Sequence, residues 1–355
     1  MSHPTDNPNA KRRPYVDPGH SRVKAAYDNV LAAMRTASTD EAKAVELFEG
    51  MRWPDGKAIC PHCGTVGESY MMTKRGTEER EANFRWRCRA CGERFTVRSA
   101  SVFEETRLPM RVWAHAMWRA CASKKGVSAM QIHRETRVSY KTALYLMHRI
   151  RHAMSERPAP QPPLYGALEA DETFVGGKPR RDPASKQPGT RQVFTDGKRF
   201  RTTRTTEKIP VVALVQRGGD VRFRVMERLT ARSVGEFIKQ NAALLSSTLH
   251  TDESTLYIKT GKRFGGGHHS VNHSAYEYAR PGGIHSNTAE SVFSRLKRGL
   301  YGTWHSVSKR HLHRYLSNIA FLHNTRFDSD SARFIACVRG GVGRRLQYEF
   351  STATA

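Results

Sequence analysis

Four of the six cysteines fall in two C-x2-C pairs, CPHC at Cys60–Cys63 and CRAC at Cys88–Cys91, with 24 residues between them. Two tight knuckles can each aim two thiolates at one point, so the pattern suits a tetrahedral shell around Zn²⁺. With four protein ligands and no open position such a site is structural, and the ion folds a module too small to build much core. Strand-forming residues Phe84, Trp86, Phe95 and Val97 surround the second pair, and the segment reads as a zinc ribbon. His62 has competing ligand chemistry, but the four sulfurs already complete the shell. Secreted disulfide scaffolds are shorter and denser in cysteine, which favours metal binding. Cys121 and Cys337 stand alone; Cys121 lies on an apolar stripe with Trp113, Met117 and Ala120 and reads as a small core residue.

The 355 residues carry 59 Lys and Arg against 33 Asp and Glu, a formal net charge of +26. Such a surplus points away from neutral metabolites and toward a polyanion, nucleic acid first. No run approaches the roughly 18 apolar residues of a spanning helix. The N-terminus lacks the apolar core of a secretory signal. The expectation is a cytoplasmic protein with no membrane partner.

In chain order, residues 1–37 read as a disordered basic N-terminus that includes Lys11, Arg12 and Arg13. A Ser38/Glu41 pair resembles a capping box opening a helix with Ala42, Val45, Leu47 and Phe48, and this helix leads the ribbon over residues 38–98. Residues 99–156 turn helical. There Ser128 can cap one short helix, Arg137–Val138 can turn, and Ser139 can cap a second. Two helices on a tight turn, the second rich in polar and basic residues, fit a helix-turn-helix, with Tyr140, Lys141 and Arg149 as candidate DNA contacts. A packed helical bundle gives a similar pattern. Residues 157–164, RPAPQPPL, read as a linker to a domain over 165–327, and 328–355 form a tail.

Past the linker, YGALEADETFV (165–175) reads as a strand with Glu169 and Asp171 on one face and Glu172 on the other. A basic insertion over 176–208 follows, either a DNA-contacting loop or a solvated hairpin. IPVVALVQR and VRFRVME read as a β-hairpin, Thr230–Leu245 as a helix, and STLHTDES as a short strand with Asp252 near its end. The glycines Gly265–Gly267 and the histidines His268, His269 and His273 read as strand and loop beside a binding surface. Further on, Ala289, Val292, Phe293 and Leu296 keep the spacing of a buried helix face. Lys297 lies about two turns after Glu290, so both project from one side of that helix.

These elements describe a three-carboxylate site on a mixed sheet. Oxygen ligands suit Mg²⁺ or Mn²⁺, and two such ions about 3.5–4 Å apart support in-line phosphoryl transfer. Glu169, Glu172 and Glu253 adjoin the candidate ligands and read as supporting or surface groups. Lys297 and Arg298 are candidate phosphate contacts. Asn287 and Glu290 also fit a helix N-cap and its partner in the first turn.

Taken in order, the ribbon, the helical segment, EADETFVGGK, TDES and NTAESVFSRLKRGLYGTWHSVSKRHLHRYL resemble the ISXO2-like insertion-sequence transposases, from about Ser38 to Asn324. The resemblance implies an α/β, RNase H-like mixed sheet with flanking helices and DDE chemistry, preceded by the ribbon and the helix-turn-helix-like segment. It implies double-stranded DNA as partner, both element terminal repeats and target, and a homo-oligomer on DNA. Asp171 matches the first acid, Asp252 the second and Glu290 the third, 38 positions after Asp252, with Lys297 as the following basic residue. An asparagine can occupy the third position in this family, which keeps Asn287 as an alternative or auxiliary ligand. Two other functions share parts of the pattern: a non-catalytic zinc-ribbon and helix-turn-helix DNA-binding protein, and an RNase H-like nuclease.

Overall fold

The computed structural model describes residues 30–156, 161–176, 192–195, 198–201, 208–271, 279–281 and 283–346, with backbone alone over 192–201. Residues 30–37, expected to be disordered, are helical and bury Met34 and Ala37. Lys11, Arg12 and Arg13 lie outside the described residues. Helix α1 (Glu41–Arg52) is capped by Asp40, whose side chain accepts from Lys43 N at 3.1 Å. The expected Ser38/Glu41 box is absent because both side chains act elsewhere. Ser38 Oγ donates to Met34 O, closing the preceding helix, while Glu41 accepts from Met110 N at 2.7 Å and Arg111 N at 3.0 Å. Those two N–H groups open α2 (Met110–Ala122), whose own N-cap, Pro109, offers no side-chain acceptor.

The ribbon is a three-stranded antiparallel sheet, β1 (Ser69–Met71), β2 (Trp86–Cys88) and β3 (Arg94–Phe95). Its small core holds Trp53, Ala58, Cys60, Cys88 and Phe95. Buried Glu49 of α1 docks it, accepting two bonds from Arg80 at 2.6 and 2.8 Å and one from Trp86 Nε1 at 2.7 Å. Helix α1 itself packs with the helices that follow, α2, α3 (Ala129–Thr136) and α4 (Tyr140–Ala153). Ser128 and Ser139 cap α3 and α4 as expected, and Arg137 makes the turn between them at φ 61°. The segment read only as a tail contributes a further helix, Asp330–Gly340, which buries Phe334, Cys337 and Val338 in the same core.

The second unit is built on a five-stranded sheet. Its strands are β4 (Leu164–Val175), β7 (Ile209–Gln216), β8 (Val221–Val225), β9 (Ala242–Thr251) and β10 (His268–Ser270); a separate hairpin, β5 (Gln192–Thr195) and β6 (Lys198–Arg201), lies within the basic insertion. Strand order is β10-β9-β4-β7-β8, with β4, β7 and β8 antiparallel in sequence and β9 and β10 parallel to β4. This order and polarity are those of an RNase H-like domain.

Helix α5 (Ala231–Asn241) covers one face, where Leu168, Ala170, Val212 and Leu214 meet Val234, Phe237 and Ile238. A short helix, α6 (Ile258–Gly261), follows β9. The opposite face is covered by α7 (Asn287–Gly299) and α8 (Leu312–Asn324). Burial on both faces explains the unbroken apolar run of β7. Helix α5 ends before the expected Leu245, because Ala242 already pairs with Leu164 of β4 and strand pairing overrides the helix preference of Ala-Ala-Leu-Leu. The glycine run has a steric cause: a Cβ on Gly265 would come within 2.1 Å of Leu245 O, and one on Gly266 within 2.1 Å of Thr248 Oγ1. His273 lies outside the described residues.

Candidate active site

Odd-numbered residues of β4 face α7, which places Glu169 and Asp171 on the same side as Val175. Glu169 pairs with His250 of the parallel strand β9, so two residues on from each, Asp171 stands beside Asp252 at the end of that strand. Glu290 approaches from the first turn of α7. Burial raises the Asp171 carboxyl to a pKa of about 7, and the carboxylates of Asp252, Glu172 and Glu290 add to the rise against one opposing bond from Glu172 N at 2.7 Å. Burial and the neighbouring carboxylates thus both disfavour the charged form of Asp171, and a cation placed beside it would favour that form. Each of the three carboxylates rides on a separate part of the fold: Asp171 on β4, Asp252 just after β9 and Glu290 on α7.

Two glutamates beside Asp171 tie the other acid-bearing segments to β4. Glu169, fully buried, accepts from Thr288 Oγ1 at 2.8 Å and from Ala289 N at 2.9 Å, so it satisfies the start of α7. The N-cap residue Ser286 makes no side-chain cap bond, and the Asn287/Glu290 capping arrangement does not form. Arg217 Nε donates to Glu169 at 2.6 Å and its remaining nitrogens reach Gly283 O and His285 O, fixing the chain that enters α7. On the other side, buried Tyr257, five residues after Asp252, donates its hydroxyl to Glu172. Spacing along the strand marked both glutamates as neighbours, but only the fold reveals what they hold.

Asp171, Glu172 and Glu290 line a cleft of about 830 Å³ whose other walls carry Lys297, Arg298 and Lys125. Lys297 and Glu290 thus share a side of the helix as the spacing predicts. Asn287 is exposed and lines an adjoining cavity of about 520 Å³ with Glu290. Lys125 comes from the loop between α2 and α3 and was not singled out in the sequence. Tyr140 and Lys141 are exposed at the start of α4. Arg149, expected at a DNA surface, is instead buried: it donates to Glu104 O and stacks over Trp113 and Tyr145. An aromatic bed and a carbonyl acceptor draw the guanidinium inward.

In the ribbon, Cys60 and Cys91 Sγ lie 3.7 Å apart, as do Cys63 and Cys88, and all four fall within 4.8 Å of one another. A tetrahedral site with zinc–sulfur bonds of about 2.3 Å has edges of roughly 3.8 Å. The cluster fits structural zinc. Gly64 and Gly92, each following the second cysteine of its pair, adopt φ of 76° and 75°, and their N–H groups close matching turns onto Cys60 O and Cys88 O.

Ribbon and sheet together define a zinc-ribbon protein with an RNase H-like domain. A family model for the ISXO2-like transposase domain matches residues 163–324, and one for the transposase zinc-ribbon domain matches residues 39–94. The chain therefore carries an ISXO2-like transposase domain preceded by a transposase zinc-ribbon domain. An uncharacterized protein in transposable element ISH50 of Halobacterium salinarum is 29% identical over 279 residues, 78% of this chain and 88% of that relative. Among solved structures, a Mos1 transposase paired-end complex with left transposon end covers 59% of this chain and 74% of its own at 12% identity and a TM-score of 0.22. A pre-cleavage Mos1 transpososome covers 62% and 75% at 14% identity and 0.21. Scores this low add nothing to the topology. Among the described residues, no helix is long and apolar enough to cross a membrane.

Proposed function

We propose that this chain is an active DNA transposase that binds the ends of its element as a homo-oligomer, cleaves them and joins them to target DNA. The observation that carries the reading is the division of charge in one cleft, where Asp171 and Glu290 share the lining with Lys297, Arg298 and Lys125; Asp252, outside the lining, acts on Asp171 from the end of β9. Oxygen donors of this kind suit Mg²⁺ or Mn²⁺. Asp171, Asp252 and Glu290 would hold the ions, with Asn287 as an auxiliary ligand. Bound there, two divalent ions supply Lewis-acid activation of an attacking oxygen and neutralise the leaving oxygen.

The chain's own residues then position the strand. Lys297 and Arg298 contact phosphate without reading bases. Water displaces the 3′-oxygen at the element end, leaving a 3′-hydroxyl and a 5′-phosphate, and that hydroxyl attacks a target phosphodiester by the same in-line route. The ribbon and the α3–α4 pair, through Tyr140 and Lys141, hold the terminal repeats.

Asp252→Asn tests the reading on a duplex carrying the flanking repeats. Unchanged affinity in metal-free buffer with abolished Mg²⁺-dependent cleavage is expected. A wild type that binds and never cuts contradicts catalysis and supports a binding protein; cutting without joining supports a nuclease.

A further inference from the structure

The helical unit reaches into the cleft of the sheet unit. Lys125 lines it beside Asp171 and Glu290, and with Lys124 it walls the adjoining cavity opposite Arg295 and Arg298 of α7. Among the described residues none of Lys124, Lys125, Arg295, Lys297 and Arg298 forms an ion pair, so five cations along one channel lack carboxylate partners.

The loop that carries Lys125 is clamped. After α7 the chain makes a π-helical turn, Leu300–Trp304, which brings Trp304 onto the loop. Trp304 Nε1 donates to Val127 O at 3.3 Å, and its ring lies edge-on to Tyr315 at 4.8 Å. Gly126 sits beneath it at φ +76°; a Cβ there would come within 2.9 Å of the indole and 3.1 Å of Asn318 Oδ1. Gly299 meets the same ring, its Cβ position 3.0 Å away. Both glycines let the backbone close on the indole.

We propose that the Lys124–Gly126 loop, fixed by Trp304, delivers Lys125 to the catalytic cleft, where it binds the sugar–phosphate backbone of the strand being cut. The channel between this loop and α7 is the path of that strand, with Arg295 and Arg298 on its far wall. The inference rests on the transposase reading and names a part of its substrate site.

Lys125 is exposed, so Lys125→Ala and Lys125→Arg leave the packing intact. In metal-free buffer, loss of one phosphate contact should reduce the slope of log affinity against log salt by about one in the alanine variant, with arginine restoring it. A photo-cross-linker at position 125 should label the terminal nucleotides of the element. An unchanged slope, or labelling confined to internal repeat nucleotides, overturns the contact. Neither readout needs cleavage. A chain that never cuts yet gives the reduced slope in Lys125→Ala and the terminal label in the cross-linker variant contradicts the catalytic reading alone, whereas a wild type that cuts, with an unchanged slope in Lys125→Ala and no terminal label from the cross-linker variant, contradicts this inference alone.

Discussion

Glu169 Oε2 accepts the N–H of Ala289 at 2.9 Å, so the residue two before Asp171 holds the residue one before Glu290. That bond ties the strand that carries Asp171 to the helix that carries Glu290. Glu169→Gln weakens the pair with Arg217 and the cap on α7. Removing one partner of a buried pair costs about 3 kcal/mol, and a small displacement of Glu290 can lower cleavage about a hundredfold. Denaturant melts and single-turnover cleavage check both, with affinity for the repeats in metal-free buffer unchanged. Wild-type cleavage by Glu169→Gln would refute the positioning role.

Tyr257 and Glu172 form the matching tie on the Asp252 side. Tyr257→Phe leaves a half-buried carboxylate without its hydroxyl donor, a loss of about 1–2 kcal/mol. Because Asp252 then sits on a looser segment, a Mg²⁺ titration of cleavage should shift to higher concentration. An unshifted titration curve would show that the tie is structural only.

The ribbon's zinc shell is separable from the rest. Its core of Trp53, Cys60, Cys88 and Phe95 is distinct from the helical core, to which it is joined through Glu49. Cys88→Ser should therefore release one zinc per chain and unfold the ribbon while α1 to α4 and the sheet keep their ellipticity. Retention of one zinc would exclude the four-thiolate assignment.

His148 sets an acid limit on stability. Burial lowers its pKa to about 3, and the facing cations Arg151, His311, Arg314 and His313 reinforce the effect. Between that value and the ordinary histidine range near pH 6.5 the unfolded chain binds the extra proton, so stability is full above about pH 6.5 and falls as pH drops. His148→Leu should flatten the fall in melting temperature between about pH 6.5 and 4. His250 and His323, each lowered to about 4 by burial, leave a residual slope. An unaltered profile in the leucine variant would assign the acid limit to other groups.

Much of this architecture is legible locally. The thiolate pairs announce the ribbon, Ser128 and Ser139 announce α3 and α4, and the Ala289–Leu296 stripe announces the face that α7 buries. These signals lie within a few residues of one another, where spacing alone carries the information. What the sequence hid depends on distant partners. Arg149 turns inward because Trp113 and Glu104 are there to receive it, and Glu41 caps a helix that begins 69 positions later. Cys121 and Cys337, isolated in sequence, are neighbours in the core, and the helix over Asp330–Gly340 has meaning only once that core exists. Lys125 carries no local signal for the same reason: its loop gains meaning only where Trp304 packs on it and both Lys125 and Asp171 line one cleft.

The central claim is that Asp171 is a ligand for catalytic metal in a DNA-joining enzyme. The direct measurement compares wild type with Asp171→Asn for Mg²⁺-dependent cleavage and end-joining on a duplex bearing the inverted repeats that flank the gene. Cleavage and joining by the wild type, with binding but no cutting by the variant, is the predicted result. Equal cutting by both proteins, or binding without cutting by both under Mg²⁺ and Mn²⁺, would contradict it.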